Sequence, residues 1–261
     1  MHLVKRIKES FKFEAPEYKE MTSVYGINDG ILALVVSALL MLLTIVSALL
    51  MGHIIFVIIL AITPFIILLY TKDNAQTLGF TKKNFIKSCM HGIYWGVPLF
   101  LILPTDRVWP WNLPYHTIIR TIYNLGEHFK STSSVAGVIS IVFFIFINAM
   151  LTAFTEEVFF RGYFQTRIYG IIKSDIFALL AGGFIFALFH MPHRIAIMHI
   201  QYDIPFSSQI LSYLRHYFFL PSYLFLIVFH LLCVYLHRKY NSLVAPIVLH
   251  FFVSLRIGFG I

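Results

Sequence analysis

The sequence predicts an all-α protein, a polytopic bundle of about seven transmembrane helices with interfacial amphipathic helices, and three observations carry that prediction. Apolar side chains make up 59% of the 261 residues and charged ones 12%, with a mean hydropathy of +0.80, too oily for a soluble domain of this size. The apolar residues gather into seven runs, near 30–51, 53–70, 86–103, 136–166, 175–191, 222–237 and 242–258, some shorter than the ~20 residues of a perpendicular span. Lysine and arginine mostly flank those runs.

Residues 1–28 read as a cytoplasmic amphipathic segment. Leu3, Ile7 and Phe11 recur at helical spacing against Lys5, Arg6, Lys8 and Lys12, the pattern of a helix lying on an anionic membrane face. A solvated tail is the alternative. No apolar core with a small-residue cleavage site follows, so the segment does not read as a signal peptide. Residues 29–261 form the membrane-embedded domain, with its motif-bearing core at 135–258. The first two runs are parted only by Gly52-His53 and require a tight hairpin, while Pro64 and Pro98 fall inside their runs and are expected to kink them. The loop 104–133 carries Trp109-Pro110-Trp111, Pro114 and Tyr115, then Ile118, Ile119 and Ile122, an interfacial aromatic belt with a surface helix. Residues 204–221 have a similar make-up.

The amino-terminal tail with 71–87, 161–173 and 238–239 holds fourteen of the twenty Lys and Arg, and the opposite set holds six. That bias places the amino terminus in the cytoplasm of a multi-pass cell-membrane protein, and an eighth span would move one terminus across. The net charge of +8 follows the membrane, with no basic stripe among exposed aromatics, so no nucleic acid partner is expected. Cys89 and Cys233 have no spacing that suggests a disulfide framework or a thiolate metal site.

Within the fourth run stands Thr155-Glu156-Glu157-Val158-Phe159-Phe160-Arg161, three charges at membrane depth, where a bare ion costs several kcal/mol or more. At ~100° per residue, Glu157 and Arg161 stand one turn apart within ion-pair reach, and Glu156 points about 100° away from Glu157. This is a layout for one general base and one supporting ion pair. A purely structural ion pair or a transporter charge network fits the segment as well. If the chain turns near Lys173, His190 on the next helix lies level with Glu156, ~25 Å from the turn. In the last run His250 and Ser254 share a helix face one turn apart, but His250 lies only ~15 Å from the turn near Lys239–Asn241 and falls short of that depth. His193, after Pro192 at the expected end of the fifth run, is read as lining a vestibule or capping the helix. His53, His91, His116, His128, His199, His216, His230 and His237 fall mostly near run ends, where interfacial solvation accounts for them. Gly182-Gly183 indicates close helix packing.

The three pieces, EExxxR at 156–161, FxxxH at 186–190 and HxxxS at 250–254, resemble in that order the CPBP family of intramembrane proteases. That family includes the CAAX prenyl proteases and the bacteriocin-processing or bacteriocin-immunity enzymes, and is also called the Abi family. The likeness covers residues from about 135 to 258. It implies a glutamate-dependent intramembrane peptidase with no cofactor and no required metal, acting among membrane lipid on a peptide or protein substrate, whether a prenylated carboxyl-terminal peptide, a leader peptide or a membrane anchor. It implies that Glu156 activates water with His190, that Glu157 and Arg161 support them, and that His250 stabilises the oxyanion. The family usually has Asn or Asp where this chain has Ser254, whose hydroxyl would donate with shorter reach. Two rivals remain at this point. A zinc-dependent version would use Glu156, His190 and His250 as ligands, although no HExxH helix is present. A non-catalytic scaffold or bacteriocin-immunity protein would keep the charges as structure. An ion or proton carrier predicts charges spread over several spans, and the first two have essentially none.

Overall fold

The computed structural model describes residues 20, 22–46, 53–102, 135–202 and 221–259. The amphipathic pattern of residues 3–12, the Trp109-Pro110-Trp111 loop and the 204–220 stretch lie outside the described residues, as do the side chains of His53, His116, His128, His193, His199 and His216. Among the described residues all regular structure is helical, and each apolar run becomes one helix: α1 (Ile27–Val46), α2 (His53–Thr71), α3 (Phe85–Ile102), α4 (Val135–Glu157), α5 (Asp175–Tyr202), α6 (Pro221–Tyr240) and α7 (Val244–Phe259). Two stretches, Ile27–Thr44 and Val142–Ile168, are long and apolar enough to cross a membrane, and Phe56–Thr71, Asp175–Met191 and Val244–Arg256 are shorter apolar helices. Large apolar side chains such as Leu39, Ile66, Phe143, Ile176 and Leu224 face outward, as suits a helical membrane protein whose outer surface meets lipid.

Local chemistry explains the helix ends. Asp29 accepts from the Gly26 N–H at 2.8 Å, the reciprocal half of a capping box that starts α1. α7 begins where Ser242 Oγ accepts from Val244 N and the buried Ser88 of α3 accepts from Ala245 N at 3.0 Å. Gly92 and Gly96, one turn apart on α3, press that helix onto α7: a Cβ on Gly92 would lie 2.7 Å from Ala245 O, and one on Gly96 2.6 Å from the Phe252 ring. Pro64 and Pro98 sit inside unbroken helices.

Two features depart from the sequence reading. α5 does not end near Met191 but runs through Pro192 to Tyr202, so His193 lies within a helix; Arg194, Ala196 and Met198 are good helix formers. α4 does not continue as an ordinary helix. Past Glu157 it widens into a π-helix, Val158–Phe164, and closes with one α turn, Gln165–Ile168. All seven π residues are buried, so the segment is wrapped on every side.

Candidate active site

The π-helix forms the centre of the bundle. Phe159, Phe160, Tyr163 and Phe164 are fully buried there, and the Phe160 ring meets Phe186 and Phe189 of α5 edge-on at 4.9 Å. Beneath it the chain after α2 folds inward. Asn74 caps a 3-10 turn, Ala75–Leu78, and Gly79 closes that turn at φ +91°, a left-handed conformation that favours glycine. Leu78 is fully buried and its carbonyl lies so near Gly162 that a Cβ there would stand 2.7 Å away. Leu243 N donates to Gly79 O at 3.1 Å, which draws the α6–α7 turn inward to the level of Gly162.

That inset turn corrects the expected depth shortfall of His250. The shortfall assumes that the 239–241 turn and the turn near Lys173 lie at one level. In the fold Ser242 and Leu243 are buried beside the π-helix, so His250 starts from a higher floor and comes level with the glutamates.

Five of the six expected site residues meet. Glu157 and Arg161, both without solvent exposure, form an ion pair at 2.9 Å between Oε1 and Nη1. The Arg161 guanidinium lies 4.2 Å over the Phe186 ring and 5.7 Å from that of Phe229. Glu157 Oε1 also takes a 2.6 Å hydrogen bond from His250 Nδ1. His190 approaches from α5: its Nδ1 lies 2.8 Å from the Phe186 carbonyl, which can only accept, so Nδ1 carries the proton. His190 Nε2 then faces Glu156 Oε2 at 3.5 Å, and His250 Nε2 faces the same oxygen at 3.8 Å. Glu156 Oε2 has no hydrogen-bond partner among the described residues. The exposure is lopsided, 15% for Glu156 and 23% for His190 against none for Glu157 and Arg161, so the first pair faces the open side of the cluster.

Glu156 Oε2, His190 Nε2 and His250 Nε2 therefore converge, a setting that suits one small polar molecule. Separations of 3.5 and 3.8 Å are long for direct hydrogen bonds and suit a shared water. Ser254, one turn beyond His250 and half-buried, makes no hydrogen bond to this cluster among the described residues. Among the described residues no group of three His, Cys, Asp or Glu side chains is arranged to hold a metal ion. Cys89 and Cys233 are free, and Cys233 is buried.

Sequence reasoning missed several parts. His230 and His237 are fully buried, not solvated at an interface. A tightly packed pair one turn apart, Gly92 and Gly96, was the available signal for the contact that seats α7, and the spacing was readable. Gly182 and Gly183 do mark close packing: a Cβ on Gly183 would stand 3.1 Å from Ile227 of α6.

Residues 138–255 match a family model described as Type II CAAX prenyl endopeptidase Rce1-like. This is the CPBP/CAAX protease family. Its matched span opens three residues into α4, ends one residue past Ser254, and contains every residue of the cluster. The Rce1-like family is a family of membrane-embedded peptidases, which supports peptidase activity for the matched stretch. No curated protein and no solved structure matches the chain.

Proposed function

We propose that the protein is a CAAX-type intramembrane endopeptidase that hydrolyses peptide bonds with a water activated by Glu156. The observation that carries this reading is the convergence of Glu156 Oε2, His190 Nε2 and His250 Nε2, on the open side of a cluster whose other carboxylate is engaged. Water between Glu156 and His190 gives one proton to the carboxylate as its oxygen attacks the scissile carbonyl; the proton then passes to the leaving amine. Arg161 and His250 occupy Glu157, which leaves Glu156 as the free base. Glu157 fixes His250 with Nδ1–H toward itself, so Nε2 is the nitrogen turned to the reaction. As an imidazolium, with Glu157 as counter-charge, His250 donates from Nε2 to the oxyanion, a contact worth about 3 kcal/mol in measured cases. Ser254 contributes a second donor when substrate is bound.

The test uses the full chain in liposomes with a prenylated CAAX peptide. Glu156→Gln and His190→Ala each abolish cleavage while the protein stays monodisperse in detergent; full cleavage by either rejects the mechanism. The reaction needs no metal, so activity survives EDTA, and a zinc requirement that EDTA exposes and added zinc restores returns the chemistry to the metal reading. An immunity or scaffold role would instead leave the cellular phenotype intact in Glu156→Gln.

We also propose seven spans with the amino terminus cytoplasmic. Arg161 is buried at the site and drops out of the flanking charges, yet thirteen against six keeps the bias. Reporter fusions after residues 51 and 261 on the cytoplasmic side would reverse the assignment.

A further inference from the structure

One buried histidine takes no part in that chemistry. His230 of α6 is fully buried, and its Nε2 lies 3.0 Å from Gln165 Oε1 at the end of the π-helix. Gln165 Nε2 donates to the carbonyl of Ala178, in the first turn of α5, at 3.2 Å. A carbonyl only accepts, so the amide is turned with its oxygen toward His230, and His230 Nε2 is the donor. One side chain thus ties α4 to both α5 and α6, in the turn directly after the π-helix. The fit is tight: a Cβ on Gly182 would fall onto Gln165 Oε1 and stand 2.7 Å from His230 Nε2.

The tie reaches the site along two routes. Ala178 and His190 belong to one helix, so the anchoring at Ala178 fixes how far along its axis α5 presents His190. The His230 ring also stands 5.6 Å from the Phe186 ring. Phe186 is the residue that carries the Arg161 guanidinium on its face, and its carbonyl holds His190 Nδ1.

We infer that Gln165 and His230 are positioning residues that hold α5 against α4 and thereby set the separation of Glu156 from His190. The inference rests on the reading of those two residues as the water-activating pair, and it concerns a geometry that is measured apart from catalysis. His230→Leu removes the donor and leaves Gln165 Oε1 without a partner. His230→Gln retains an amide N–H near the place of Nε2.

The decisive experiment determines the structures of both variants, as full-length chains in detergent or nanodiscs, beside steady-state cleavage of a prenylated peptide. In His230→Leu the 3.5 Å separation of Glu156 Oε2 and His190 Nε2 opens past about 5 Å, the limit for one bridging water, while His230→Gln keeps it. Per folded molecule, kcat falls about tenfold or more in His230→Leu with KM held within about twofold, and His230→Gln recovers it. Where His230→Leu fails to fold, His230→Asn replaces it, since its shorter amide stays polar but stops short of Gln165. An unchanged separation in the Leu or Asn variant overturns the inference, as does a separation that opens equally in His230→Gln. Because the distance is read directly, it decides the matter even if Glu156→Gln retains cleavage and the hydrolytic reading falls.

Discussion

Arg161 of the π-helix and Arg167 of the turn that closes it stand six residues apart, and each is buried against a carboxylate and over two aromatic rings, yet the two pairs differ in their exposure and reach. Arg161 pairs within its own helix, with Glu157 at zero exposure, and shares that carboxylate with His250. Arg167 reaches across to Asp73 at the end of α2, which is 30% exposed and also bonds the Thr71 hydroxyl at 3.1 Å, and its guanidinium lies between the rings of Tyr25 and Tyr163 at 4.5 and 4.6 Å. A third pair, Arg238 with Asp175 at 2.8 Å, closes the same end of the bundle through Tyr169. Burial holds the Tyr169 phenol above its ordinary value against the opposing pull of Arg238, so it stays a donor to Asp175. The difference teaches what each arginine is for. The rim pairs stitch helix ends together where water still reaches one partner, whereas the inner pair occupies one carboxylate so that its neighbour is left free.

The largest effect breaks the inner arrangement at its free member. Glu156→Gln lowers cleavage by at least about a thousandfold with the thermal midpoint little changed, measured as turnover against a scan in detergent. Next is Arg161→Ala, which strands Glu157 as a buried charge at a cost of about 3–5 kcal/mol and appears as lost folded yield. Arg167→Met is milder, about 1–2 kcal/mol after discounting for the water at Asp73, and leaves turnover within about threefold. Smallest is Asp175→Asn, at most about 1 kcal/mol because that carboxylate is half exposed. Raising salt sharpens the contrast: it erodes the effects of Arg167→Met and Asp175→Asn and leaves that of Arg161→Ala unchanged, because only the rim pairs are screened. An equal salt response for all three would erase the distinction between rim and interior.

Much of this was legible in the residues themselves. Apolar runs locate the seven helices because lipid-facing and core-facing sides are both greasy, so hydropathy alone marks them. The Glu157–Arg161 pair followed from helical spacing and forms although Arg161 itself lies in the π-helix, and Glu156 met His190 because one short turn joins their helices. His250 escaped the same arithmetic. Its depth depends on Gly79 receiving Leu243, a contact between segments far apart in sequence that no local pattern announces. His230 and His237 were assigned to the interface with the other histidines, but His237 is buried against the inset turn at Gly79, and His230 stands midway along α6 against Gln165 and Phe186. The π-helix had no signal either, since its aromatics read equally well as ordinary core.

The inward fold of the 75–79 and 241–243 connections has a consequence for life in bilayers of unequal thickness. Because the depth of His250 is measured from those connections and not from the outer tips of the helices, the greasy rims around Leu69, Tyr70 and Ile86 are free to tilt or thin the surrounding lipid. Hydrophobic mismatch absorbed at the periphery is expected to leave the distance between acid and imidazole the same in thin and thick bilayers, which cleavage rates in vesicles of graded acyl-chain length would check.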